Sequence, residues 1–145
     1  MISRTAFDAD VLIYAAVDGH PLGSRVAALF RADPAATEAP TGGVGSVLLL
    51  TEVLAKPLRD DPDSDEVVAL VGLLSRLDLL PLDDVTARLA LALAVAYKLR
   101  AADACHLATA VACGADRFIT NNRRDFPKTI TEIDIVYPDD LPPAI

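Results

Sequence analysis

The 145 residues are 52% hydrophobic and 23% charged, a balance that suits one globular domain with a sizeable core and excludes a disordered chain. The longest uninterrupted apolar run, residues 89–97, is about half of what a bilayer-spanning helix needs; Asp8 and Asp10 fall where a signal peptide would be apolar, so the chain reads as soluble and cytoplasmic. A formal net charge of −8 stands against nucleic-acid binding through a basic surface, unless the acids hold a metal ion that reverses the sign a phosphate meets.

A first strand is predicted over residues 4–7 and a helix over 11–17, ended by the turn signal Asp18-Gly19-His20-Pro21. A second helix follows over 22–31. Thr41-Gly42-Gly43-Val44-Gly45 reads as a short strand or a turn, and Ser46 as the N-cap of a helix running to Lys56, where Pro57 stops it. Residues 63–76 read as a helix behind the acidic entry Asp60-Asp61-Pro62-Asp63, and 77–80 as a short strand. Asp83-Asp84 opens a long helix rich in alanine and leucine, with Lys98 and Arg100 suiting its C-terminus. Asp103 begins another helix, with Gly114 as its C′ glycine. Strands are predicted over 117–120 and 133–137. Strands alternating with helices imply parallel pairing by right-handed crossovers, hence a three-layer α/β domain. With no repeat and no linker, the chain is expected to be a single domain over residues 1–145. Cys105 and Cys113 share one helix about 12 Å apart, too far to bond, and read as small core residues.

Four places carry acids that apolar neighbours make conspicuous. Asp8 and Asp10 follow the first strand, in Ala6-Phe7-Asp8-Ala9-Asp10-Val11-Leu12-Ile13-Tyr14; acid at the carboxyl edge of a parallel sheet points to a site, although Asp10 also reads as a cap for the helix at Val11. Glu52 falls three and four residues after Leu49 and Leu48 and so shares a face with leucines. An unpaired carboxylate there costs several kcal/mol or takes up a proton, unless an Arg or Lys pairs with it or that face meets solvent. Asp103 lies in Ala101-Ala102-Asp103-Ala104-Cys105-His106-Leu107, where an N-cap is the plain alternative. His106 follows one turn later, but a lone histidine is a weak metal signal, so it is left out of the site and read as a packed or surface imidazole. Asp125 comes after a late strand, in Ile119-Thr120-Asn121-Asn122-Arg123-Arg124-Asp125-Phe126, as a site acid or a turn acid paired to Arg123 or Arg124.

Together these segments, with Ser46-Val47-Leu48-Leu49-Leu50-Thr51-Glu52-Val53-Leu54 and the closing Ile135-Val136-Tyr137-Pro138, resemble a PIN domain over essentially the whole chain. Within that family the chain resembles the VapC-type ribonuclease toxins of toxin–antitoxin pairs. The family's three most constant acids fall on Asp8, Glu52 and Asp103, and its variable fourth on Asp125. Where these toxins often carry Asp-Thr-Asn-Val, this chain has Asp8-Ala9-Asp10-Val11, which leaves Asp10 as metal outer shell or helix cap. Asn121 or Asn122 can likewise take a site position.

The resemblance implies about five parallel strands with helices on both faces and an acidic cluster holding Mg²⁺ or Mn²⁺. Hard divalent cations prefer oxygen ligands, and a metal-acidified water can attack a phosphodiester. On this reading Asp8, Asp103 and Asp125 coordinate metal, Glu52 is a ligand or orients water, and Thr120, Asn122 and Asp10 are positioning candidates. Arg123 and Arg124, with Lys56 or Arg59, are candidates for RNA phosphates or else ordinary surface charge. The implied partners are an RNA substrate, a cognate antitoxin and a second copy in a homodimer. An RNA-processing nuclease outside toxin systems is the alternative. A haloacid-dehalogenase-like phosphatase, with Asp8 as nucleophile and Asp10 as acid, fits the first motif but leaves Glu52 and Asp103 unexplained and finds no lysine in a matching context among Lys56, Lys98 and Lys128.

Overall fold

A computed structural model describes residues 4–30 and 43–144. In chain order the elements are β1 (Thr5–Phe7), α1 (Ala9–Ala15), α2 (Pro21–Ala27), a 3₁₀ turn (Ala28–Phe30), β2 (Gly43–Ser46), α3 (Leu49–Asp60), α4 (Asp65–Ser75), β3 (Leu77–Leu80), α5 (Asp84–Tyr97), α6 (Ala101–Ala112), β4 (Arg117–Ile119), β5 (Asp134–Val136) and a second 3₁₀ turn (Pro138–Asp140). The five strands pair in the order β3-β2-β1-β4-β5, and every pairing is parallel. This is the expected α/β architecture.

Alternation along each strand divides the core into two layers. Ala6, Val44, Phe118 and Ile135 face one side, where they pack with Ala90 and Leu93 of α5 and Leu107 of α6. Phe7, Leu77 and Ile119 face the other, against Leu12 of α1, Val26 of α2, Leu49 and Val53 of α3, and Leu70 of α4. Strand order reverses at β1, which pairs with β2 on one edge and β4 on the other. A crevice opens at the carboxyl ends of strands where order reverses in this way, because the connections leave in opposite directions. Asp8 and Thr120, the residues just beyond β1 and β4, therefore stand side by side, and the Asp8 N–H donates to Ile119 O at 2.9 Å.

Several boundaries differ from the sequence reading, each for a local reason. The glycine-rich segment is a strand from Gly43, and its predicted start at 41–42 lies outside the described residues, as does Arg31 at the end of the second predicted helix. Ser46 ends β2 rather than capping a helix; its Oγ accepts the Leu48 N–H at 3.1 Å, and α3 begins three residues later with Leu48 as an N-cap that makes no side-chain bond. Pro57 does not stop α3. In the last turn its missing N–H costs one bond, and the Asp61 N–H still closes on Pro57 O at 2.9 Å. The helix expected from residue 63 begins at Asp65, because Ser64 caps it by accepting the Val67 N–H. Asp83 caps α5 by accepting from Thr86 at 2.8 Å, but that helix ends at a left-handed Lys98 (φ 56°) and Arg100 already belongs to the start of α6. Gly114 does take the expected left-handed conformation after α6, with φ 73°.

Cys105 and Cys113 are unbonded and half-buried, packed against the α5–α6 layer. Among the described residues no helix is long and apolar enough to cross a membrane.

Gly23 fixes how closely α2 approaches α1. A Cβ there would lie 2.0 Å from the backbone oxygen of Tyr14, which a backbone carbonyl cannot evade as a flexible side chain could. Gly23→Ala is expected to cost about 2 kcal/mol or more, by analogy with overpacking, read as a lower midpoint in urea; an unchanged midpoint would mean that the two helices separate freely.

Candidate metal and catalytic site

The site is built on the ends of β1 and β4 and the first turns of α1, α3 and α6. Asp8 is the N-cap of α1, so its carboxylate is held from two sides: Oδ1 accepts the Ala9 N–H and Oδ2 accepts the Thr120 hydroxyl, each at 2.8 Å. It is only 5% exposed. Burial raises its pKa, opposed by attraction to His106 and by the bond from Thr120. The cap is thus Asp8 and not Asp10, which lies inside the first turn. Asp10 instead reaches across the site, where its Oδ2 accepts the Asn121 N–H at 3.0 Å. Its Oδ1 is buried with no hydrogen-bond partner among the described residues. Burial, reinforced by repulsion from Asp8, pushes the Asp10 pKa up to about 7.

Asp103 and Glu52 arrive on separate helices. Asp103 is the third residue of α6, whose N-cap is Arg100, so it is not the cap. Partial burial and then repulsion from Asp8, Asp125 and Glu52 raise its pKa. Glu52 lies in the first turn of α3, and its side chain is one-third exposed. Its pKa is lowered, chiefly by a hydrogen bond with His106 whose Nε2 lies 2.9 Å from Oε2. Asp8, Asp10, Glu52, Asp103 and Asn122, with Ala9 and Ile13, line one open cavity of about 330 Å³.

The fourth acid stands back from this wall. Asp125 bonds Asn122 twice, accepting from Nδ2 at 3.0 Å and donating its N–H to Oδ1 at 3.2 Å. It reaches the site through its charge on Asp103 and through Asn122, which lines the cavity. Thr120 is fully buried and links the two groups, since its Oγ1 also accepts the Asn122 N–H at 3.1 Å. Among the basic candidates, Arg123 is engaged in an ion pair with Asp139 and lies over the Tyr137 ring, 4.5 Å from its centroid. Lys56 pairs with Asp60 at 2.7 Å. Arg124 and Arg59 are exposed.

His106 is the residue that sequence reasoning passed over. Its side chain is completely buried, and a ring nitrogen lies within 4.8 Å of carboxylate oxygens of both Asp8 and Glu52. Nothing in its local sequence marks it apart from its place one turn after Asp103.

The residues present fit a divalent cation. The donors that line the cavity are dominated by carboxylate oxygens, which hard cations such as Mg²⁺ and Mn²⁺ prefer. Three of the carboxylates have raised pKa values, and one of their oxygens is buried with no partner among the described residues. Positive charge placed among them removes the mutual repulsion that burial intensifies.

A solved structure described as a toxin–antitoxin complex from Klebsiella pneumoniae has the same fold, with a TM-score of 0.68 and 24% identity, over 94% of this chain and 98% of that one. No curated protein matches the sequence. The sequence model of the PIN domain matches residues 6–130, a span that runs from β1 past β4 and takes in every acid of the cavity, and the chain therefore belongs to the PIN domain family.

Proposed function

We propose that the protein is a metal-dependent endoribonuclease and the toxin of a toxin–antitoxin pair. The observation that carries this reading is the convergence of Asp8, Glu52 and Asp103, with Asp10 beside them, on one open cavity at the carboxyl edge of the sheet. PIN domains are generally nucleases that use divalent metal ions. Asp8, Asp103 and Glu52 would hold Mg²⁺ or Mn²⁺, with Asp125 contributing through Asn122. A cation bound there would lower the pKa of a water and offset charge on the scissile phosphate.

The protein's own groups prepare that chemistry. Thr120 and the start of α1 hold both oxygens of Asp8, so its carboxylate cannot rotate away. Glu52, whose lowered pKa keeps it ionised and whose side chain is partly open to solvent, would be a ligand or would orient the attacking water. Asp10 ties α1 to the loop after β4, the loop that carries Asn122 and Arg124. Arg124 is the better candidate for an RNA phosphate than Arg123, whose charge is already met by Asp139. The phosphatase reading needs Asp8 free to attack, whereas both its oxygens are bonded and it is buried.

The proposed partners are RNA, a cognate antitoxin and a second copy in a homodimer, in the cytoplasm, with the chain forming one domain over 1–145. The structural neighbour is a toxin–antitoxin complex, and a net charge of −8 favours a basic inhibitory segment. An RNA-processing nuclease would share the same site.

The deciding experiment is cleavage of a broad RNA panel by purified, antitoxin-free protein in Mg²⁺ or Mn²⁺, beside Asp103→Asn and a chelator control. Cleavage that disappears in both controls is the expected result. A folded Asp103→Asn variant that cuts as well as wild type would remove the metallonuclease reading.

A further inference from the structure

His106 spends its polarity on one partner. The ring is fully buried on α6, a helix whose other buried residues are mostly apolar. Its Nδ1 has no hydrogen-bond partner among the described residues. Its Nε2 lies 2.9 Å from Oε2 of Glu52. An ionised carboxylate can only accept, so Nε2 carries the proton and donates. A position chosen for packing alone would be served by leucine, whereas a buried imidazole brings polar atoms that must be accounted for, and here Nε2 is accounted for by Glu52.

Glu52 needs such an anchor. It stands on α3, which reaches the cavity from a different part of the chain than α6 with Asp103, and a glutamate has three rotatable bonds to lose on being fixed. With its side chain one-third exposed, Glu52 is free to swing outward into water. The imidazole, rigid and packed on all sides, prevents this at the cost of no mobile group of its own. Metal-ligating carboxylates are commonly oriented by an outer hydrogen-bond partner, and losing that partner lowers metal affinity roughly 10- to 100-fold.

We infer that His106 is a positioning residue whose Nε2–H holds the Glu52 carboxylate on the cavity wall for divalent-cation binding, an inference that rests on the metal-dependent reading proposed above. It acts through Glu52.

The test is Mn²⁺ binding by calorimetry, with folding checked by circular dichroism, on wild type, His106→Leu, His106→Gln and Glu52→Gln, and on the double variant His106→Leu/Glu52→Gln. Glutamine can place an amide N–H near the Nε2 position; leucine keeps the volume and donates nothing. Expected are binding about 10- to 100-fold weaker in His106→Leu, recovery to within a few-fold of wild type in His106→Gln, and no further loss when His106→Leu is added to Glu52→Gln, since coupled residues are not additive. Wild-type affinity in His106→Leu would overturn the inference. So would His106→Gln binding as poorly as His106→Leu, because the imidazole would then itself be the ligand. Should His106→Leu not fold, His106→Asn takes its place, because its amide reaches the Nδ1 position and should bind as weakly as expected for leucine. A wild type that binds no Mn²⁺ would instead overturn the metal-dependent reading, and this inference with it.

Discussion

Replacing Asp8 by asparagine is expected to abolish RNA cleavage, by at least about 100-fold, while leaving the metal-free protein at pH 8 as stable as wild type or more so. The two effects have one cause. Asp8 is almost wholly buried beside Glu52, Asp10 and Asp103, and its raised pKa records a native state that resists its charge. Asparagine keeps one of the two local bonds, since its amide oxygen can accept the Ala9 N–H, and reverses the other, its NH₂ donating to Thr120 Oγ1 where the Thr120 hydroxyl had donated to the carboxylate. The main loss is the charge, and with it the affinity for a divalent cation. Such opposition between stability and activity is expected where a site stores electrostatic strain.

Two readouts check this. In wild type, metal at about 100 times its Kd adds roughly 2.7 kcal/mol of stability, which for a chain of this size raises Tm by several degrees; in Asp8→Asn that increment should shrink or vanish. A large loss of stability in metal-free Asp8→Asn would show that its carboxylate is a structural anchor first, and retained cleavage would remove Asp8 from the site.

In the presence of a chelator, wild-type Tm should rise as pH falls from about 8 to about 5.5. The sign follows from which state binds the proton more tightly. Asp10 has a folded pKa of about 7 against an ordinary 3.8, so the folded state holds a proton that the unfolded state has released. Stability is therefore lost as pH rises toward 7 and regained as it falls. Between pH 8 and 5.5 Asp10 alone contributes about 2 kcal/mol, and Asp8 and Asp103 act in the same direction through their raised values. His106, also raised through its bond to Glu52 and the nearby acids against the effect of burial, adds stability below its unfolded pKa of about 6.5 and loses it above its folded value, again the same sign. Glu52 runs the other way, but only as pH falls below its ordinary 4.5 toward its lowered folded value. Asp10→Asn should flatten the profile, and saturating Mn²⁺ should do so too. A wild-type Tm that is flat, or that falls between pH 8 and 5.5, would show that burial and mutual repulsion do not raise the pKa values of these carboxylates in the folded protein.

The order of strands and helices could be read along the chain because it depends on local patterning. Alternating apolar segments such as those around Phe7, Phe118 and Ile135 gave the strands, and Gly114 marked the end of α6. Boundaries failed where a local signal had two outcomes. Ser46 can cap a helix or end a strand while bonding Leu48, and Pro57 is costly only where its missing N–H would have been needed. The tertiary alignment of β2 against β1 and β3 chose between such outcomes.

Conspicuous acids were legible for the same reason: Asp8, Glu52 and Asp103 stand among apolar neighbours, where an unpaired charge is expensive, and this holds whatever the fold. The roles of the remaining groups depend on what crosses the sheet edge. Asp10 was a cap or an outer-shell group by sequence; the reversal of strand order at β1 brings Asn121 to it and makes it a tie between loops. Arg123 was a candidate for RNA until Asp139 and Tyr137, 14 and more residues away, came to meet it. His106 had only a weak sequence signal, its place one turn after Asp103, because its one partner, Glu52, is 54 residues earlier in the chain. Residue type and spacing alone determined the alternation of strands and helices and made the acids conspicuous, since burial and periodicity are properties of short segments; the five-strand sheet and the grouping of those acids were expected only from the family resemblance. Which groups hold those acids in place was decided only when α1, α3, α6 and the loop after β4 met, because a hydrogen bond between distant residues exists only once the fold has brought its two ends within 3 Å.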